Sequence, residues 1–211
     1  MIRALLADDH AIVLDGLRRL LAESGDIAVV GAAADGREAL RLALDGGPAW
    51  DVLILDLSLP RVGGMEVLRR VRAARPDARV VVLSMYPEEQ YALQLRRAGA
   101  AAYVSKTMPP ESLLEAIRAV ALRGTWSTPA VERDLGAAPP GSDAPPHRSL
   151  SSREVQVFTL IIEGQSVTDI AAQLDLHAST VSNHLRAIKT KLGAHSVADI
   201  VRYAHHAGLI D

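Results

Sequence analysis

Residues 52–68 read VLILDLSLPRVGGMEVL. The segment opens on four consecutive apolar residues, runs into Asp56, and then passes through a turn holding Pro60, Gly63 and Gly64. A strand that is apolar at every position, rather than at every second one, suits a sheet covered on both faces. Working outward, the same kind of run recurs at IRALLA (2–7), IAVVGA (27–32), ARVVVLS (78–84) and AAYVSK (101–106). Between the runs lie stretches of helical period, such as Ile12, Val13, Leu17, Leu20 and Leu21, or Leu113, Leu114, Ile117 and Val120. Five strand–helix alternations predict an α/β doubly wound (βα)5 domain over residues 1–121.

Ligands of such a sheet bind beyond the carboxyl ends of its strands. Asp8 and Asp9 stand at that end of the first run and Asp56 at that end of the third. In the flavodoxin-like order 2-1-3-4-5 these two strands are neighbours, so three carboxylates meet on one rim. Like charges a few ångströms apart resist joint ionisation, and a divalent cation resolves the conflict. An all-oxygen ligand set favours Mg²⁺. Ser84 ends the fourth run and Lys106 the fifth, placing a hydroxyl and an ammonium opposite the carboxylates. Singly, each of these residues has an ordinary explanation as a cap, a turn former or a solvated charge. Together, at four strand ends, they form a phosphoryl-transfer set: a carboxylate nucleophile, a metal, and donors for the transferred oxygens.

The remaining chain changes character. Residues 124–149 hold five of the eleven prolines, with Gly, Ser and Ala between them, and no sustained apolar period; a linker is expected over 122–147. Beyond it, Ser151 with Glu154 offers a helix N-cap, Ser166 with Asp169 another, and Gly164 and Gly193 offer stops. Four helices follow, the second at about 167–173, the third at about 178–192 and the fourth at about 196–207, so residues 148–211 are expected to be all-α. Ile170, Ala171, Leu174, Val181, Leu185 and Ile188 are spaced to bury one face of the second and third helices, with the third turned outward as in a helix-turn-helix.

Charge and composition narrow the function. The chain has 211 residues and a formal net charge of −2, so any contact with nucleic acid must come from a local patch. From 150 to 211 five Lys or Arg face six Asp or Glu, yet residues 177–191 carry Arg186, Lys189, Lys191, His177 and His184 and not one acid. The absence of cysteine excludes disulfides, thiolate metal sites and cysteine nucleophiles, and fits a reducing compartment. The opening MIRALLADDH reaches two aspartates at once, and no apolar run approaches the ~18 residues of a membrane span. A soluble cytoplasmic protein with no membrane partner is expected.

The segments LLADDH, VLILDLSLPRVGGMEVL, VVVLSMYPEEQ and GAAAYVSK resemble the receiver domain of two-component response regulators. The segments LSSRE, EGQSVTDIA, STVSNHLRAIKTKLG and RYAHHAGLI are similar to the LuxR-type helix-turn-helix of the NarL/FixJ family. The first resemblance implies that Asp56 is the phosphoacceptor for a sensor histidine kinase, and that Asp9, Asp56 and the backbone carbonyl of Ser58 ligate Mg²⁺ with Asp8 acting through water. It further implies that Ser84 moves toward the phosphoryl group, that Lys106 pairs with its charge, and that Tyr103 follows the movement. The second implies double-stranded DNA as partner, with Ser182, Asn183 and Arg186 facing bases and Thr180, Lys189 and Lys191 better suited to phosphates. It also implies homodimerisation on phosphorylation, through either the fourth strand–fifth helix face of the receiver or the last helix of the output domain. Contact with RNA polymerase is compatible with that role. The chain departs from the commonest pattern at Gly63, in a turn expected to be exposed, at Asp175, and at Met85, whose thioether beside an acyl phosphate would hinder the attacking water. A phosphatase with an aspartyl nucleophile is disfavoured because Ser58 stands where its second carboxylate is usually placed, and turnover beyond slow self-dephosphorylation is not expected. A phospho-dependent interaction module that never touches DNA is disfavoured by the acid-free basic helix.

Overall fold

The computed structural model of the chain describes residues 1–85, 95–129, 145–174, 176–207 and 209–210. Two compact units are present, Met1–Ala138 and Pro139–Asp211. In the first, β1 (Ile2–Ala7), β2 (Ile27–Ala33), β3 (Val52–Leu55), β4 (Val80–Ser84) and β5 (Ala102–Ser105) form one parallel sheet in the order β2-β1-β3-β4-β5. The helices α1 (Ala11–Glu23), α2 (Gly36–Leu44), α3 (Gly64–Ala74) and α4 (Pro110–Arg123) cover it. The helix expected between β4 and β5 lies largely outside the described residues, of which 95–97 are helical.

The sheet forms because β3, β4 and β5 are buried at every residue, as their continuous apolar runs require. Alternate residues feed two cores. On one side Leu14, Leu17 and Leu21 of α1 and Leu113, Ile117 and Val120 of α4 pack against Leu6, Ile54 and Val81. Each such side chain removed from water contributes about 1.5–3 kcal/mol. Val67, Leu68 and Val71 of α3 are also buried. The register then sets the rim: Ala7 pairs with Leu55, the Asp56 N–H donates to the Ala7 carbonyl at 2.8 Å, and the Lys106 N–H donates to that of Ser84 at 2.8 Å. Asp8, Asp56, Ser84 and Lys106 therefore leave the sheet side by side. The unit runs past residue 121, since α4 continues to Arg123 and Trp126 packs against the core, donating its N–H to Ala101 at 3.0 Å.

The second unit contains α5 (Ser152–Ile162), α6 (Val167–Gln173), α7 (Ala178–Leu192) and α8 (Val197–His206). Their boundaries follow the side-chain caps. Ser151 and Ser196 each form a reciprocal capping box, with Glu154 and Asp199, and Ser166 caps α6. α7 ends at Gly193, whose φ of 66° is left-handed and costs glycine little. Val155, Phe158, Ile161, Ile170, Val181, Leu185, Ile188, Ile200 and Ala204 make one core. A single 3-10 turn, Pro146–Ser149, precedes α5, and its His147 is held to α8 by Nδ1···Tyr203 hydroxyl contact at 2.7 Å. His147, inside the stretch expected to be linker, thus belongs to the helical unit, because it has a partner 56 residues away. Of the rest of that stretch, residues 130–144 lie outside the described residues. Among the described residues no helix is long and apolar enough to cross a membrane.

Candidate functional site: an acidic strand-end pocket and an exposed helix face

At the carboxyl end of the sheet Lys106 Nζ lies 2.6 Å from Asp8 Oδ2 and 2.7 Å from Asp56 Oδ2. The three side chains are only 11%, 2% and 4% exposed, so the charges are poorly hydrated and must balance one another. They do not: two carboxylates share one ammonium. Burial pushes the Asp56 carboxyl up by more than Lys106 pulls it down, and Asp8 adds to the rise. Burial works against the Lys106 charge as well, but the Asp56 and Asp8 carboxylates together hold that ammonium above its ordinary range. Both directions describe one pocket with an excess of negative charge.

Asp9 and His10 extend the cluster. Their ligand atoms and those of Asp8 and Asp56 lie within 4.8 Å of one another. His10 Nδ1 stands 2.8 Å from Asp9 Oδ1, and its backbone N–H donates to Asp8 Oδ1 at 2.9 Å. The Ser58 N–H donates to Asp56 Oδ1 at 3.1 Å. Three carboxylates against one ammonium, with a backbone turn beside them, fit a hard cation bound through oxygen. Ser84 adjoins this group on β4. It is fully buried, and its hydroxyl is the one buried side-chain polar atom without a hydrogen bond among the described residues. Such an atom costs on the order of 1–3 kcal/mol until it finds a partner. Tyr103 is buried on β5 opposite Val82 of β4. Met85, one residue past Ser84, is 64% exposed.

Two glycines allow backbone segments to approach closely around the turn that follows β3. A Cβ on Gly64, the first residue of α3, would come 2.0 Å from the Asp56 carbonyl oxygen; one on Gly36 would come 1.8 Å from that of Val62. Gly63 is half-buried rather than exposed, because it caps the N-terminus of α3. Beside it Arg61, with φ of 64°, pairs with Asp35 at 3.0 Å.

In the second unit α7 buries Val181, Leu185 and Ile188 and turns Ser182, Asn183 and Arg186 to solvent. Thr180 and Lys189 are half-buried at the margins of that face. Ser182 Oγ donates to the Ala178 carbonyl at 2.9 Å, leaving its lone pairs outward. Lys191 differs from its neighbours. Its ammonium reaches Glu154 Oε2 at 2.6 Å and the Ser149 carbonyl at 3.2 Å, so it ties α7 to the start of α5. Burial, and after it the charge of Arg153, push His184 down, so it adds no charge to the face at neutral pH. Asp175 lies outside the described residues.

Residues 4–118 match the response regulator receiver domain family, and residues 148–204 match the bacterial regulatory proteins of the luxR family. The chain belongs to the two-component response regulators with a LuxR-type DNA-binding domain. This response regulator is 34% identical to response regulator UvrY of Escherichia coli (strain K12), over 99% of its own length and 96% of that protein's. It is 33% identical to response regulator GacA of Pseudomonas aeruginosa, over 100% and 99% of the two chains. Among solved structures it is similar to Salmonella typhimurium RcsB (TM-score 0.70, 27% identity, covering 96% of each chain). It is also similar to RcsB of Salmonella enterica serovar Typhimurium bound to promoter rprA in the presence of phosphomimetic BeF3⁻ (TM-score 0.67, 25% identity, 96% and 98% covered).

Proposed function

We propose that the response regulator is switched at Asp56, which accepts a phosphoryl group from a sensor histidine kinase, and that the modified chain binds double-stranded DNA through α7 as a homodimer. The observation that carries this reading is the Asp8–Lys106–Asp56 group with the unsatisfied Ser84 hydroxyl on the same rim. In the transfer an Asp56 carboxylate oxygen forms the new P–O bond while the P–N bond to the kinase histidine breaks, the electron pair leaving with the imidazole. Lys106 then pairs with the added charge, and Ser84 Oγ donates to a phosphoryl oxygen, which ends its isolation. Tyr103 follows that movement from β5. Asp9, Asp56 and the Ser58 carbonyl are the ligands assigned to Mg²⁺, with Asp8 acting through water. When bound, Mg²⁺ neutralises charge on the phosphoryl oxygens.

Turnover is limited to slow self-dephosphorylation, because the Met85 thioether borders the path of the attacking water. In this reading the receiver, expected over 1–121, extends to about residue 126, and the DNA-binding domain, expected over 148–211, takes in the turn at Pro146–Ser149, with the linker between them in a cytoplasmic protein. Ser182, Asn183 and Arg186 face bases, while Thr180 and Lys189 meet phosphates. Lys191, committed to Glu154, serves DNA binding through the placement of α7. The dimer brings two such helices to half-sites about 34 Å apart, and contact with RNA polymerase belongs to the same role. The DNA-bound structure of RcsB supports this reading.

The test uses DNA fragments selected from genomic DNA by the phosphorylated chain. Wild type and Asp56→Asn are both treated with acetyl phosphate and titrated onto the same fragment. Tighter binding by wild type alone is expected; equal affinity would overturn the proposal.

A further inference from the structure

At the opposite end of the sheet from Asp56, β4 begins after Arg79 and β5 begins after Ala101. There a cleft of about 560 Å³ opens among Arg72, Arg79, Arg96, Asp77, Gly99 and Thr125. Three guanidinium groups from three different segments reach it. Each is tethered by one hydrogen bond to a backbone carbonyl: Arg72 to Ala78 at 2.9 Å, Arg79 to Ala121 at 2.7 Å, and Arg96 to Ala101 at 3.4 Å. All three residues are half-buried rather than freely solvated. A Cβ on Gly99, where φ is 96°, would come 2.7 Å from Arg72 Nε, so the absence of a side chain there gives the guanidinium its seat.

None of these three arginines makes a close ion pair among the described residues, although the charge of Arg79 is felt by Asp51. Arg3, Arg18, Arg41, Arg61, Arg70, Arg118 and Arg202 each pair with a carboxylate. Among the described residues the one carboxylate lining the cleft, that of Asp77, is exposed. A guanidinium has five N–H donors in a planar fork. With one donor used for tethering, each keeps an edge suited to a bidentate oxyanion, and the tether removes side-chain freedom in advance. Three such groups face Asp77 in the cleft, with Asp51 in electrostatic reach of Arg79, so positive charge remains in excess.

We propose that this cleft is a binding site for a small anion carrying two or more phosphate charges. The volume falls within the range of small-molecule sites, roughly 300–1,000 Å³. Concavity and tethering favour a compact ligand over duplex DNA, whose phosphates are met by protruding side chains. Carbonyl capping alone uses one donor of five at each arginine and does not require three of them to open on one cleft.

The full chain is titrated calorimetrically, in EDTA, with inorganic pyrophosphate and in parallel with ADP; the two arms separate a free diphosphate from a nucleotide as the source. Saturable binding in at least one arm is expected. Arg79→Gln and Arg96→Gln should each weaken it about ten-fold, as loss of one charge-assisted bidentate contact implies. Arg72→Lys keeps the charge but loses the fork and should weaken it several-fold. Asp56→Asn should bind as wild type does, because the acidic pocket is at the other end of the sheet. Far-UV circular dichroism of each variant establishes folding, and any one folded arginine variant suffices for the comparison. No binding by wild type at millimolar ligand, equal binding by a folded Gln variant, or loss of binding in Asp56→Asn would each overturn the proposal. Failure to bind either ligand, together with weakened DNA binding in Arg79→Gln, would overturn it in favour of a nucleic-acid contact.

Discussion

At the scale of the residue, Asp56 is held in a form suited to modification and poor for stability. A carboxyl whose value is raised by folding holds its proton more tightly in the folded chain. Its contribution to stability is therefore present below the ordinary carboxylate value and is lost as pH rises through the raised one. At neutral pH the ionised group costs folding energy. Asp56→Asn should accordingly stabilise the metal-free protein at pH 7.5, by on the order of 1–2 kcal/mol, while Lys106 keeps Asp8 at 2.6 Å. Urea unfolding in EDTA measures it, and the gain should shrink as pH falls toward the ordinary aspartate value of 3.8. A variant less stable than wild type at pH 7.5 would count against an unbalanced pocket. Met85 acts on the other state. Met85→Ala should shorten the acyl-phosphate lifetime several-fold, followed as loss of the phosphorylated band after the donor is removed; an unchanged half-life would remove the thioether from the account.

At the scale of the element, each helix is positioned by a few polar contacts at its end. The sharpest case is Glu154, which accepts from the Ser151 N–H and from Lys191, and so joins the cap of α5 to the last turn of α7. Burial pushes its carboxyl up, but the Lys191 ammonium and the Ser151 amide and hydroxyl together hold it below its ordinary range. The sign is opposite to that of Asp56. Stability from Glu154 is present above the ordinary glutamate value of 4.5 and lost as pH falls through the lowered one. Glu154→Gln should cost about 1–2 kcal/mol at pH 7, and progressively less below pH ~4. Thermal melts of the full chain, read at the helical unit, check both. DNA affinity should fall with it, because the orientation of α7 depends on the same bond.

At the scale of the whole molecule, the chain carries a net charge of −2, and the proposed function assigns its attraction to DNA to α7. Replacing Lys189 with Ala should weaken binding about equally for all sequences, and reduce the slope of log affinity against log salt by about one. Arg186→Ala should cost about 1–3 kcal/mol and relax the preference at one base position. Titrations of a preferred and a scrambled duplex over a salt series distinguish the two. If Arg186→Ala and Lys189→Ala lost affinity alike on both duplexes, base reading by Arg186 would fail.

The (βα)5 order, the strand ends bearing Asp8, Asp56, Ser84 and Lys106, and the helix over 178–192 were all legible in one dimension. Period, strand-end position and capping pairs are local properties, and a doubly wound sheet turns strand ends into neighbours with few alternatives. Other features depend on where distant segments meet. Lys191, expected at phosphate, also bonds Glu154, 37 residues earlier. His184 was counted as basic, and burial lowers it. His147 was read as linker, and Tyr203 binds it. Nothing in sequence spacing shows that Gly64 lies against the Asp56 carbonyl, that Ser84 has no partner, or that Arg72, Arg79 and Arg96 open on one cleft. The reason is physical: periodicity records which face of an element is apolar, whereas the charge state and freedom of a side chain are set by neighbours that only packing brings within a few ångströms.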